Sequence, residues 1–154
     1  MQLHVSCYRI GMKDPEPATI AAWTALMRAS TRMLSEIEDT LKAADLPALT
    51  WYDALLEIEK AGEEGIRPLA LQERLLLPQY GMSRLLNRIE KSGYIVRAHC
   101  AEDGRGQIVR LTPEGKAIRE RMRPIYMQAL NRLVGDKLNE ADAAQLAELL
   151  DKLR

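Results

Sequence analysis

The side chains of this chain best equipped for chemistry are Gln79, Tyr80, Ser83, Arg84, Asn87, Arg88 and Lys91, followed by Asp103 and Arg105. What they share is hydrogen-bonding capacity and positive charge. Carboxamides, hydroxyls and forked guanidinium groups match the edges of base pairs in a major groove, and cations match phosphates. Groups for covalent chemistry are missing from the pattern. There is no nucleotide-phosphate loop, no paired-histidine metal motif on a helix and no Gly-x-Ser-x-Gly elbow. His4 and His99, the only histidines, fall in a loose arm and in an extended stretch. The expectation is therefore recognition without catalysis, with no metal and no cofactor.

The elements that must carry these residues can be read around them. Met82, Leu85, Leu86 and Ile89 fall at i, i+3, i+4 and i+7, so at about 100° per residue they form one apolar stripe, with the polar and basic residues on the opposite arc. Gly93 stands where a helix needs a left-handed terminator, and Tyr94 to His99 reads as a strand rich in β-formers. Glu102 to Gly106 supplies a turn, because Asp-Gly and a second glycine tolerate positive φ, and Gln107 to Leu111 returns as the partner strand. Upstream, Ile66-Arg67 reads as a short edge strand. Pro68 suits a first helical turn, and Leu71, Leu75 and Leu76 are expected to face the core of a positioning helix that gives way at Pro78. Two short helices followed by a hairpin make a winged helix-turn-helix.

At this point the chain resembles the MarR family of bacterial transcriptional regulators. LPQYGMSRLLNRIEKSGYIVR matches the recognition helix and its exit, and EDGRGQIVRLTPEG matches the wing and the start of the next helix. Weaker similarity runs from about residue 18 to residue 153, including LTWYDALLEI and the closing Leu-rich helix. The chain departs from the family in having Pro78 where a capping Ser or Thr is frequent, and Gly81 within the first recognition turn. The resemblance implies that Gln79, Tyr80, Ser83 and Arg84 read bases, with Arg84 bridging guanine O6 and N7 and Gln79 pairing with adenine. Asn87 and Arg88 are assigned to phosphate. At the wing tip Arg105 would enter the minor groove with Asp103 holding its side chain in position. The resemblance also implies a small aromatic or phenolic effector in a cleft between dimerisation helices and winged domain, walled by Trp23, Met27, Trp51 and Tyr52, which shifts the population towards half-site spacings that fit DNA poorly.

Charge along the chain fits this assignment. Residues 1–65 hold 6 Lys+Arg against 11 Asp+Glu, residues 66–112 hold 8 against 4, and residues 113–154 hold 8 against 7. The neutral total thus conceals a basic segment where the DNA-facing elements are expected. No stretch approaches the roughly 20 apolar residues of a membrane helix, and the first residues lack a signal-peptide pattern, so the expected location is the cytoplasm. Cys7 and Cys100 form no disulfide framework in that compartment. Some relatives sense oxidants through a cysteine near the start of the first long helix, and neither position matches it.

The remaining pattern is helical. Ile20, Trp23, Met27, Leu34, Ile37 and Leu41 keep a three-to-four spacing after Pro17. Thr50 to about Lys60 makes a second helix, Thr112-Pro113-Glu114 opens a long one containing Pro124, and Asn139 caps a last one carrying Leu146, Leu149, Leu150 and Leu153. The expected fold class is mainly α (α+β): a winged helix-turn-helix over 46–112, a helical dimerisation region over 18–45 and 113–154, and an arm over 1–17. The two end helices are expected to bury a homodimer interface of about 2,000 Å² or more. The expected function is sequence-specific binding of double-stranded DNA by a repressor, at a pseudo-palindrome whose half-sites lie about 34 Å apart. The alternative is a winged-helix protein interaction module without specific DNA binding, which strong salt dependence of binding to random duplex, together with tighter binding to its own promoter, would exclude.

Overall fold

A computed structural model describes residues 14–76, 81–99 and 106–153 of the chain. It divides into two compact units, Met1–Leu34 and Ser35–Arg154. The described part of the first unit is the opening of helix α1 (Pro17–Ala43), where the Glu16 carbonyl accepts from Thr19 N at 2.9 Å. Proline suits this first turn, since its missing N–H would find no intrahelical partner there. The first half of the apolar stripe read from the sequence faces solvent: Trp23 is 62% exposed and Met27 43%.

The second unit holds the rest of α1, where Ile37 and Leu41 are buried, and all other elements. Helix α2 (Leu49–Lys60) follows, and its N-cap Ala48 offers no side-chain acceptor. Glu38 takes that role, with Oε1 accepting from Leu49 N at 3.0 Å and a carboxylate placed at the positive end of the helix. A 3-10 turn at Gly62–Glu64 leads through Gly65 to Ile66, which exchanges two backbone hydrogen bonds of 2.9 and 2.8 Å with Val109. The edge strand expected at Ile66-Arg67 is therefore a single bridge, because Arg67 already caps helix α3 (Pro68–Arg74).

Helix α3 is shorter than its leucine spacing suggests. Leu75 turns extended (φ −63°, ψ 134°), so the helical register that would bring Leu76 inward is broken and Leu76 is 74% exposed. Helix α4 (Met82–Lys91) begins later than expected. Gly81 is its N-cap in the left-handed region (φ 84°, ψ 51°), rather than a member of its first turn. The exit behaves as the sequence indicates. Gly93 N donates to Glu90 O at 2.8 Å and Tyr94 N to Ile89 O at 3.2 Å, the paired bonds by which a left-handed glycine closes a helix.

Strands β1 (Ile95–His99) and β2 (Gln107–Leu111) pair antiparallel, with Arg97 opposite Val109. Thr112 then starts helix α5 (Pro113–Leu130), its Oγ1 accepting from Gly115 N at 3.0 Å and donating to Gly93 O at 2.7 Å. The helix continues through Pro124 and ends in a π turn at Asn131–Gly135. Helix α6 (Glu140–Asp151) is capped by Asn139, whose Oδ1 accepts from Asp142 N at 2.9 Å, and none of its residues is buried.

The core of this unit joins α2, α3, α4 and the hairpin through Leu55, Ile58, Leu71, Leu86, Ile89, Ile95 and Val109. Each such side chain contributes roughly 1.5–3 kcal/mol by leaving water, and together they fix how α4 presents its other face. Arg119 of α5 is buried too, with Nε 2.6 Å from Glu59 Oε2, which ties α5 to α2 by charge although the N–H itself is not aimed at the carboxylate. No helix among the described residues is long and apolar enough to cross a membrane.

Candidate nucleic-acid interface

The interface is built on the amphipathicity of α4. Met82, Leu85, Leu86 and Ile89 are buried, and Ser83, Arg84, Asn87, Arg88 and Lys91 are exposed on the other side. Because the buried stripe is anchored in the core, rotation of the helix about its axis would expose leucine, so the polar arc is held outward. Arg84, Asn87, Arg88, Glu90, Lys91 and Arg97 line one open depression of about 570 Å³.

Two of these residues have partners that the sequence did not reveal. Arg97 of β1 donates from Nε to Glu90 Oε2 at 2.9 Å and from Nη2 to Asn87 Oδ1 at 2.7 Å, and Nη2 also pairs with Glu90. The Arg97 guanidinium, chiefly through its hydrogen bond, holds the Glu90 carboxyl below its ordinary value. Arg88 lies over the Trp51 ring, its Cζ 5.7 Å from the centroid. Both contacts position the cationic arc from behind, one from the wing strand and one from the core. Arg97 had a legible signal. Strand alternation puts it on the face of buried Ile95, where a charge requires a partner.

Of the residues singled out in the sequence, Ser83, Arg84, Asn87 and Arg88 share the exposed arc of α4. Gln79, Tyr80, Asp103 and Arg105 lie outside the described residues, as do Cys7 and Cys100. Trp51 and Tyr52 are both buried members of α2 but belong to different aromatic pairs. Trp51 meets Tyr94 edge-on with centroids 6.0 Å apart, and Tyr52 meets Tyr126 of α5 at 5.1 Å. Burial, and then the neighbouring Tyr52 and Asp53, push the Tyr126 hydroxyl above its ordinary value. Trp23 and Met27 are exposed residues of the first unit.

Comparison with known proteins agrees with this geometry. Residues 44–106 match the model of the MarR family. The chain is 32% identical over 131 residues to an uncharacterised HTH-type transcriptional regulator of Bacillus cereus, covering 85% of each chain. Among solved structures it is similar to Sco3205, a MarR family transcriptional regulator from Streptomyces coelicolor determined in complex with DNA, with a TM-score of 0.84 at 22% identity over 92% of this chain and 89% of that one. BpsR of Bordetella bronchiseptica, whose DNA binding is regulated by 6-hydroxynicotinic acid, gives a TM-score of 0.77 at 23% identity over 91% and 97%. A mainly α winged helix-turn-helix with a basic recognition face defines a class of DNA-binding regulators. Within that class, the chain belongs to the MarR family of transcriptional regulators.

Proposed function

We propose that this protein binds a pseudo-palindromic operator in duplex DNA as a homodimer, represses transcription there, and is released by a small aromatic effector. The observation that carries the reading is the exposed arc of α4, in which Ser83, Arg84, Arg88 and Lys91 project from a helix whose underside is locked in the core. Ser83 and Arg84, with Gln79 and Tyr80 before them, meet base edges. Arg88 and Lys91 meet phosphate, and Arg105, steadied by Asp103, enters the minor groove. The winged domain spans 46–112.

The homodimer is supported by apolar residues left in solvent. Ile20, Trp23 and Met27 on α1, Leu146 and Leu149 on α6, and Leu153, which lies just past the end of α6 and not on it, are all at least 43% exposed. Such stripes on a cytoplasmic protein call for cover, and a second copy supplies it with the two-fold symmetry a palindrome needs. The effector reading is carried over from BpsR, whose DNA binding is regulated by 6-hydroxynicotinic acid.

Footprinting on the DNA flanking the coding region, alongside sedimentation of the free protein, tests this reading. Two protected half-sites about one helical turn apart and a dimer in solution are expected. A monomer, or protection that added salt does not weaken, would contradict it.

A further inference from the structure

An asparagine facing a major groove ordinarily reads adenine with both ends of its amide, donating from Nδ2 to N7 and accepting at Oδ1 from N6. Asn87 stands on the exposed arc of α4 beside Arg84, Arg88 and Lys91, but its Oδ1 is already occupied by Arg97 Nη2 at 2.7 Å. A guanidinium has only donors, so the amide oxygen and not the nitrogen must be the end that meets Arg97, and no amide flip can satisfy the contact. The guanidinium is itself fixed, because its Nε donates to Glu90 Oε2 at 2.9 Å in a charge-assisted pair. Oδ1 keeps a second lone pair, but the amide is planar and moves as one piece, so swinging both of its ends onto one adenine would exchange the charged donor for a neutral one, which is unfavourable.

We infer that Arg97 holds the Asn87 amide by its oxygen and leaves Nδ2 as the end free to move onto DNA, so that the middle of the recognition face, Arg84, Asn87, Arg88 and Lys91, takes hydrogen-bond acceptors and does not read adenine with both ends of the amide. The acceptor is guanine O6 or N7, or a phosphate oxygen. Arg97 is the positioning residue: it acts on recognition through Asn87. The inference rests on the DNA-binding reading above and adds to it which base the helix centre refuses.

Selection from a random duplex pool with the wild type, Asn87→Ala, Arg97→Lys and the double variant tests it. Lysine keeps a charge for Glu90 but has no fork to hold Asn87 as well. The wild-type consensus should contain no adenine that Asn87→Ala removes. Asn87→Ala should instead lower binding to all sites alike, the phosphate case, or erase one guanine preference, the base case. Arg97→Lys should gain an adenine preference of roughly tenfold, the scale of one bidentate pair, and the double variant should lose it. An adenine in the wild-type consensus that depends on Asn87, or an Arg97→Lys consensus with unchanged base preferences, overturns the inference. In DNA-free protein, the Asn87 side-chain NH2 signals in a nitrogen-15 spectrum should shift in Arg97→Lys, and an unmoved pair also overturns it. Wild type that selects no sequence would refute the DNA-binding reading and the inference with it. The DNA-free spectrum separates that failure from loss of the Asn87 contact.

Discussion

The guanidinium of Arg88, on the exposed arc of the recognition helix, lies over the ring of Trp51, a buried residue of α2, with Cζ 5.7 Å from the ring centroid. A cation that would otherwise sweep through solvent is thereby held over one point of the surface. Contacts of this kind contribute about 0.5–1 kcal/mol where solvent has access. Arg88→Ala should weaken binding to all duplexes alike and lower the salt slope by about 1, as loss of one phosphate contact does. Trp51→Leu should cost about 2–4 kcal/mol of stability, chiefly through lost core packing, while leaving that slope nearly unchanged. Anisotropy titrations at several salt concentrations, with denaturant unfolding alongside, separate the two effects.

Acid should loosen the join between wing and recognition helix. The folded-state pKa of Glu90 is held below its ordinary 4.5, mainly by the hydrogen bond from Arg97. A depressed carboxyl stabilises the fold fully above its unfolded value, and the contribution is lost as pH falls through the folded value. Wild type should therefore exceed Glu90→Gln in stability by a constant margin near neutrality, and the margin should shrink below about pH 4.5. The carboxylate is partly exposed, so solvent screening keeps the margin small. Equal stability of the two proteins across the whole pH range would show that the pair contributes nothing.

At the alkaline end the sign reverses. Burial raises the Tyr126 hydroxyl above 10.0, with Tyr52 and Asp53 adding to the effect. A raised value leaves stability intact below the unfolded value and removes it as pH climbs towards the folded one. Thermal melts above about pH 10 should fall more steeply for wild type than for Tyr126→Phe.

Gly115, in the first turn of α5, packs against the backbone of Tyr94, in the link between α4 and β1. A Cβ there would come within 2.0 Å of the Tyr94 carbonyl oxygen and 2.8 Å of Leu111 Cδ1. Neither the backbone of Tyr94 nor the strand end carrying Leu111 can move without disturbing the wing. Gly115→Ala should destabilise by about 3 kcal/mol or more, the range of a steric insertion at a fixed backbone. A melting temperature within a degree or two of wild type would contradict the close approach.

Much of this architecture is legible in the sequence because its signals are local. The Met82, Leu85, Leu86, Ile89 stripe gives α4 and its exposed arc, Gly93 gives the exit, and Thr112 and Asn139 give two caps, all decided within a turn or two of chain. The misses come from non-local or backbone-specific causes. Leu76 leaves the core because Leu75 goes extended, and α4 starts only after Gly81 has taken a left-handed conformation, neither of which a hydrophobic period can encode. Strand alternation marks Arg97 as needing a partner but cannot name one, because Asn87 and Glu90 lie on another element. Gly115 was passed over because its neighbour Tyr94 is 21 positions away in the chain. Gln79, Tyr80, Asp103 and Arg105 rest on the family resemblance.

The central claim, that the exposed arc of α4 is a DNA-reading surface, is tested most directly by fluorescence anisotropy of Arg84→Ala against wild type, on the footprinted operator and on random duplex, over a range of salt. The account predicts that Arg84→Ala loses about 1–3 kcal/mol on the operator and much less on random duplex, with both proteins keeping a steep fall of affinity with salt. Equal affinity of the two proteins for the operator, or operator binding by wild type that is indifferent to salt, would contradict it.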